Sequence, residues 1–292
     1  MALIEKVALP QLVERSDMGD FVYIAGMSRC GSKWLSNVLD DPLHGVKFTH
    51  ELASPDNGIV TNFWWDGRQH HALQYGLDSA KFVSYWRILK DLLSNFRVVG
   101  DAISWVPLLI PEMHKQIPLQ KVLYLVRNGI QQVHSLWNNT SWRYYHNAND
   151  TNENDVRWNY EYMLHRYWDM LSRPGQDWHE WSEWERICLM WQANTVVTKW
   201  LNDLIPGVYV GVHRLEDLIG DISALRRLVE NVGLQLDDGE LVSWQEYDMN
   251  RLTKGDRSPA TLYASWTLDQ QNAFDRICGS GMEEYGYERH PV

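Results

Sequence analysis

Residues 28–33 read Ser-Arg-Cys-Gly-Ser-Lys, so two cations, two hydroxyls and a glycine fall within six positions. A run of this kind suits an anion with several oxygens. Hydroxyls and backbone N–H groups donate, the cations neutralise, and glycine lets the backbone come close. Arg127, with Ser135 eight residues further on, is a second pairing of a cation and a hydroxyl. His50-Glu51 is a polar pair at the end of an expected strand, where open α/β sheets place chemistry.

The elements that must position these residues are legible as alternating patterns. Residues 22–25 are a short apolar strand closed by Gly26, and Trp34, Leu35, Val38 and Leu39 give the helical spacing that follows. Strand, glycine-flanked loop and helix together resemble a phosphate-binding loop. The triphosphatase order is G-x-x-x-x-G-K-[ST]. Here Ser32-Lys33 reverses its last pair. Further strands are expected over 46–49, 97–101, 121–126 and 208–213, and helices over 79–95, 106–114, 130–137, 160–171, 186–204, 221–233 and 268–282. Strands alternating with helices predict a three-layer α/β/α fold around a central parallel sheet. The chain reads as a single domain over residues 1–292, with a Trp-rich insertion or lid over 138–185.

Composition narrows the classes. The 292 residues carry a net charge of −11, which argues against general nucleic-acid binding or an anionic membrane surface, so a basic site must be local. Three cysteines, Cys30, Cys188 and Cys278, are odd in number and show no C-x-x-C spacing. They read as free thiols in a reducing cytoplasm, without a disulfide framework or a zinc site. No stretch is long and apolar enough for a membrane span, and the first twenty residues lack the core of a signal peptide. Sixteen tryptophans suggest a lined groove as well as a core, with Trp64, Trp65, Trp137 and Trp142 as candidate platforms for an acceptor.

Several separated segments agree on a family. Residues 28–35 resemble the 5′-phosphosulfate loop of sulfotransferases, a basic residue, a small residue, Gly, then Ser or Thr. Tyr124-Leu-Val-Arg127 followed by Ser135 resembles their 3′-phosphate motif, and residues 213–218, His-Arg-Leu-Glu-Asp-Leu, resemble their Arg-Tyr-Glu-Asp-Leu segment. The resemblance implies a sulfotransferase using 3′-phosphoadenosine 5′-phosphosulfate (PAPS) as donor, with the bisphosphate PAP as product and no metal. Ser28, Arg29, Cys30, Gly31, Ser32 and Lys33 would form the 5′ loop, Arg127 and Ser135 would hold the 3′-phosphate, and Trp34 would stack on adenine. Lys254, Gly255 and Arg257 are candidates for a late loop over the 3′-phosphate. Two departures stand out. Leu215 replaces the usual Tyr, and Asp101 follows Gly100 where several family members have Lys.

The acceptor, a carbohydrate or other small molecule with a hydroxyl, must lose a proton. Glu51 is the first candidate base and His50 the second, with Arg29 and Lys33 neutralising charge on the leaving phosphate oxygen. Two alternatives stay open, a nucleotide-dependent kinase and a sulfotransferase-like protein that binds without catalysis. Against the kinase, Arg127 and not an acid ends the strand at 121–126.

Overall fold

The computed structural model describes residues 19–50, 52, 80–103, 107, 110–116, 119–138, 167, 169–171, 180–234 and 258–289. In chain order its elements are β1 (Asp20–Gly26), α1 (Ser32–Leu39), β2 (Val46–His50), α2 (Ala80–Asn95), β3 (Val98–Ile103), α3 (Ile110–Gln116), β4 (Lys121–Val126), α4 (Gly129–Trp137), α5 (Glu183–Gln192), α6 (Asn194–Leu204), β5 (Tyr209–Arg214), α7 (Leu215–Gly220), α8 (Ile222–Asn231), α9 (Pro259–Ala264) and α10 (Leu268–Glu284). The strands pair in parallel throughout, in the order β2-β3-β1-β4-β5. This is the expected three-layer α/β/α fold with a phosphate-loop-like strand, loop and helix.

Alternation along the strands builds two cores. Phe21, Tyr23 and Ala25 of β1 join Val122, Tyr124 and Val126 of β4 on one face, under Tyr85 and Leu89 of α2, Met113 of α3 and Val197 and Leu201 of α6. Val22, Ile24, Leu123 and Leu125 point the other way, onto Leu35 and Val38 of α1, Leu215 and Leu218 of α7 and Leu225 and Leu228 of α8. Both faces of β4 are covered, which is why residues 122–126 are apolar without interruption. A third cluster joins α4, α5, α9 and α10.

Two details differ from the sequence expectation. The helix expected over 186–204 is two helices, α5 and α6, divided at Ala193. Asn194 donates its side-chain amide to the Trp191 carbonyl at 2.7 Å, and the Thr195 hydroxyl donates to the Gln192 carbonyl at 2.9 Å. Side chains thus compete there with the helical ladder. Among the described residues the tryptophans build core. Trp184 meets Trp137 and Trp266 edge-on, at ring separations of 5.3 and 4.8 Å, so Trp137 belongs to the third cluster. Trp64, Trp65, Trp142 and most of the 138–185 segment, including residues 160–166 and 168 of the helix expected over 160–171, lie outside the described residues.

The order reverses around β1, which has β3 on one side and β4 on the other. The crevice beyond the carboxyl ends of these strands is where this class of sheet binds ligands.

Candidate functional site

The loop between β1 and α1 lies at that crevice. Arg29 has φ +70° and Gly31 φ +98°, while Cys30 between them does not have a positive φ. This alternation turns N–H groups to a common side. Arg29 is the one non-glycine with positive φ among the described residues, a conformation that costs about 1–3 kcal/mol and collects at functional sites. Helix α1 starts at Gly31 with no side-chain cap and no acidic residue in its first turn. Its positive dipole end therefore faces the loop with neither a capping side chain nor a carboxylate to neutralise it.

Glycine is required at Gly31 twice over. A Cβ would violate the backbone conformation and would stand 2.7 Å from Leu215 at the start of α7. At Gly26 a Cβ would meet both the Cys30 sulfur and the Leu125 carbonyl at 2.6 Å, so the bare Cα lets the loop fold back over β4.

The two cation–hydroxyl pairs, 106 residues apart in the chain, meet. Arg29 Nε donates to Ser135 Oγ at 3.0 Å. Arg127, half-buried at the end of β4, is close enough for its charge to act on Cys30. Asn128 follows it and caps α4, its side chain accepting from the N–H groups of Ile130 and Gln131. Gln132, fully buried on α4, donates to the carbonyls of Met27 and Ser28 at 3.2 and 2.7 Å and so ties the start of the loop to that helix.

The remaining loop residues divide by exposure. Ser28 and Ser32 are buried, Lys33 is exposed on the first turn of α1, and Cys30 is fully buried. Burial pushes the Cys30 thiol up to about 11, although hydrogen bonds from Ser32 and the charge of Arg127 pull the other way. Ser32 Oγ lies 3.2 Å from His50 Nε2, which brings the end of β2 to the loop. Trp34 is 7% exposed and packs with α1 in the second core, and its indole N–H has no hydrogen-bond partner. Glu51, Lys254, Gly255 and Arg257 lie outside the described residues.

Four residues that motif reading did not assign hold this arrangement. Besides Gln132 and Asn128, Glu216 of α7 accepts the Asn128 backbone N–H at 2.9 Å and the Tyr287 hydroxyl at 2.7 Å. Asp101 of β3 is fully buried and accepts hydrogen bonds from Thr49, Leu52 and Tyr85. A polar residue interrupting an apolar face is the one trace that Gln132 and Asp101 leave in the sequence.

No family model and no curated protein matches the chain. Among solved structures, sulfotransferase STF9 from Mycobacterium avium is similar over 93% of this chain and 78% of its own, at 13% identity and a TM-score of 0.50. The fold is sulfotransferase-like. The sulfotransferase from Alicyclobacillus acidocaldarius matches over 92% of this chain and 96% of its own, at 16% identity and a TM-score of 0.47. Mouse sulfotransferase SULT7A1, solved in complex with PAP, matches over 90% and 84%, at 15% identity and a TM-score of 0.46. Among the described residues no helix is long and apolar enough to cross a membrane, and no group of three or more His, Cys, Asp or Glu could hold a metal ion.

Proposed function

We propose that the chain is a PAPS-dependent sulfotransferase acting on a hydroxyl of a carbohydrate or other small molecule, folded as one domain with the 138–185 segment as insertion or lid. The observation that carries this reading is the contact between Arg29 and Ser135. It makes one basic crevice of two anion seats that lie far apart in the chain. A nucleotide with a phosphosulfate at one end and a ribose 3′-phosphate at the other needs two such seats.

The residues present fit that donor. The uncapped start of α1, Gly31, Ser32 and Lys33 would hold the 5′ arm, and Arg127 and Ser135 the 3′-phosphate, with Arg29 between them. When bound, such a donor supplies a sulfuryl group whose bond to the phosphate oxygen breaks as a bond to the acceptor oxygen forms. Arg29 and Lys33 neutralise the charge left on the phosphate oxygen. The acceptor proton goes to a base at the end of β2, Glu51 or His50, and His50 already stands against the loop hydroxyl. Catalysis by positioning and charge, as in phosphoryl transfer, is the expected mode.

A kinase reading needs an acid for Mg²⁺, and the carboxylate on the strand beside β1 is Asp101. It sits two residues short of the strand end with hydrogen bonds to three donors. A thermal-shift comparison tests the choice. A ligand at a hundredfold excess over its Kd stabilises by about 2.7 kcal/mol. PAP should give such a shift without metal, ATP with Mg²⁺ should not, and Arg127→Ala should remove it. A shift with ATP and Mg²⁺ alone would overturn the proposal.

A further inference from the structure

We propose that Asp101 is the positioning residue for the proton acceptor of the reaction, an inference that rests on the transferase reading above. Asp101 is fully buried on β3, in register with Thr49 of β2 and Tyr23 of β1. Its Oδ1 accepts from the Thr49 hydroxyl and from the Leu52 backbone N–H, each at 3.0 Å, and its Oδ2 accepts from the Tyr85 hydroxyl at 3.0 Å.

Thr49 and Leu52 bracket His50 and Glu51 in the chain. A single carboxylate oxygen therefore holds the Thr49 hydroxyl on one side of the two candidate bases and the Leu52 backbone N–H on the other. The grip falls just past the end of β2 at His50, the last residue of that strand in register with β3 among the described residues. The bond from Leu52 to Asp101 continues the attachment to β3. On the loop side of the same segment, His50 Nε2 lies 3.2 Å from Ser32 Oγ.

A buried carboxylate is costly unless its oxygens are met by donors, and an apolar residue would fill the space without that cost. The core on this face of the sheet is built of apolar residues and tyrosines, into which Asp101 brings the one buried carboxylate among the described residues. What the acid contributes is direction. It ties Thr49 and Leu52, which flank the candidate bases, to β3, and displacement of a reacting group by about 1 Å can slow chemistry about a hundredfold.

The test compares Asp101→Ala, Asp101→Asn, Thr49→Val and Tyr85→Phe in the full chain. Three readouts are taken: PAP affinity by calorimetry, single-turnover release of sulfate from radiolabelled PAPS with water as acceptor, and the His50 ring signal by NMR, assigned with His50→Gln. Asp101→Ala should slow sulfate release about tenfold to a hundredfold while PAP affinity stays within about twofold. Asp101→Asn keeps an oxygen for Thr49 and Leu52 and should recover the rate to within about threefold. Thr49→Val should shift the His50 signal and slow release about tenfold, whereas Tyr85→Phe, which removes a bond to the other oxygen, should leave both near wild type. Should Asp101→Ala not fold, this last pair decides the matter, since each removes one hydrogen bond from the same carboxylate. Wild-type rates in Thr49→Val, an unmoved His50 signal, or equal losses in Thr49→Val and Tyr85→Phe would overturn the proposal. A wild-type chain that neither binds PAP nor cleaves PAPS would instead overturn the transferase reading, and this role with it.

Discussion

Gly31 concentrates the demands on the loop into one position. Its φ of +98° belongs to the left-handed region, and a Cβ would press on Leu215 at 2.7 Å. Gly31→Ala should therefore cost about 2–4 kcal/mol, combining the left-handed penalty with overpacking. Denaturant unfolding measures the loss, and calorimetry should find PAP binding abolished, because the loop can relax only by moving away from α7. Cys30 is bound by the opposite logic. With its thiol pushed up to about 11, it stays protonated at neutral pH despite lying in an anion loop near Arg127. The thiolate is the reactive form. Iodoacetamide at pH 8 should leave Cys30 of the folded protein unmodified and label it only after unfolding, as mass spectrometry of the peptide will report. Arg29 and Ser135 were each visible in the sequence as members of separate motifs. Their contact was not, because nothing local encodes a pairing across 106 residues. Gln132 left only a polar position on an apolar face, and its role was hidden for a related reason. A glutamine in a helix is ordinary until its partners, two loop carbonyls on another element, are in view.

Helix α4 carries the proposed second anion seat, and its start is fixed from three directions. Asn128 caps its first turn, Glu216 holds the Asn128 N–H, and the Trp191 indole donates to the Arg127 carbonyl at 3.0 Å. Asn128→Ala should lower stability by about 1–2 kcal/mol, the usual loss for a helix cap. It should also weaken PAP binding severalfold while leaving the β1–α1 loop intact, which separates the two seats in a single variant. Chemical denaturation and calorimetry on the same preparation check both parts. Elements of this kind were legible to within a few residues, since β4 and α4 announce themselves by an apolar run and a helical period. The division at Ala193 was not legible. The apolar pattern is continuous across α5 and α6, and only the hydrogen bonds of Asn194 and Thr195 to nearby carbonyls interrupt the ladder.

At the scale of the molecule, sequence patterns supplied the strands but not their order, because pairing depends on crossovers that no local pattern records. The tryptophans mislead for the same reason. In the helical layer, Trp137, Trp184 and Trp266 meet edge-on where α4, α5 and α10 come together, a use that abundance alone does not distinguish from a groove. That layer also couples the end of the chain to the site. Arg214 donates to the carbonyls of Tyr285 and Gly286 and lies 5.2 Å from the centre of the Tyr287 ring. The Tyr287 hydroxyl, kept protonated by burial and by the charge of Glu216, donates to that carboxylate, whose other oxygen holds Asn128 beside Arg127. Glu216 thus bonds both to the segment after α10 and to the start of α4, where the second anion seat is proposed. Glu216→Ala leaves the Asn128 N–H and the Tyr287 hydroxyl without their acceptor, each costing about 1–3 kcal/mol where water cannot replace it. The melting temperature should fall and PAP affinity should drop with it. Tyr287→Phe should cost stability alone, because Glu216 keeps its bond to Asn128. Equal PAP affinities for the two variants would show that the tail is held for its own sake and that Arg127 needs no support from α7.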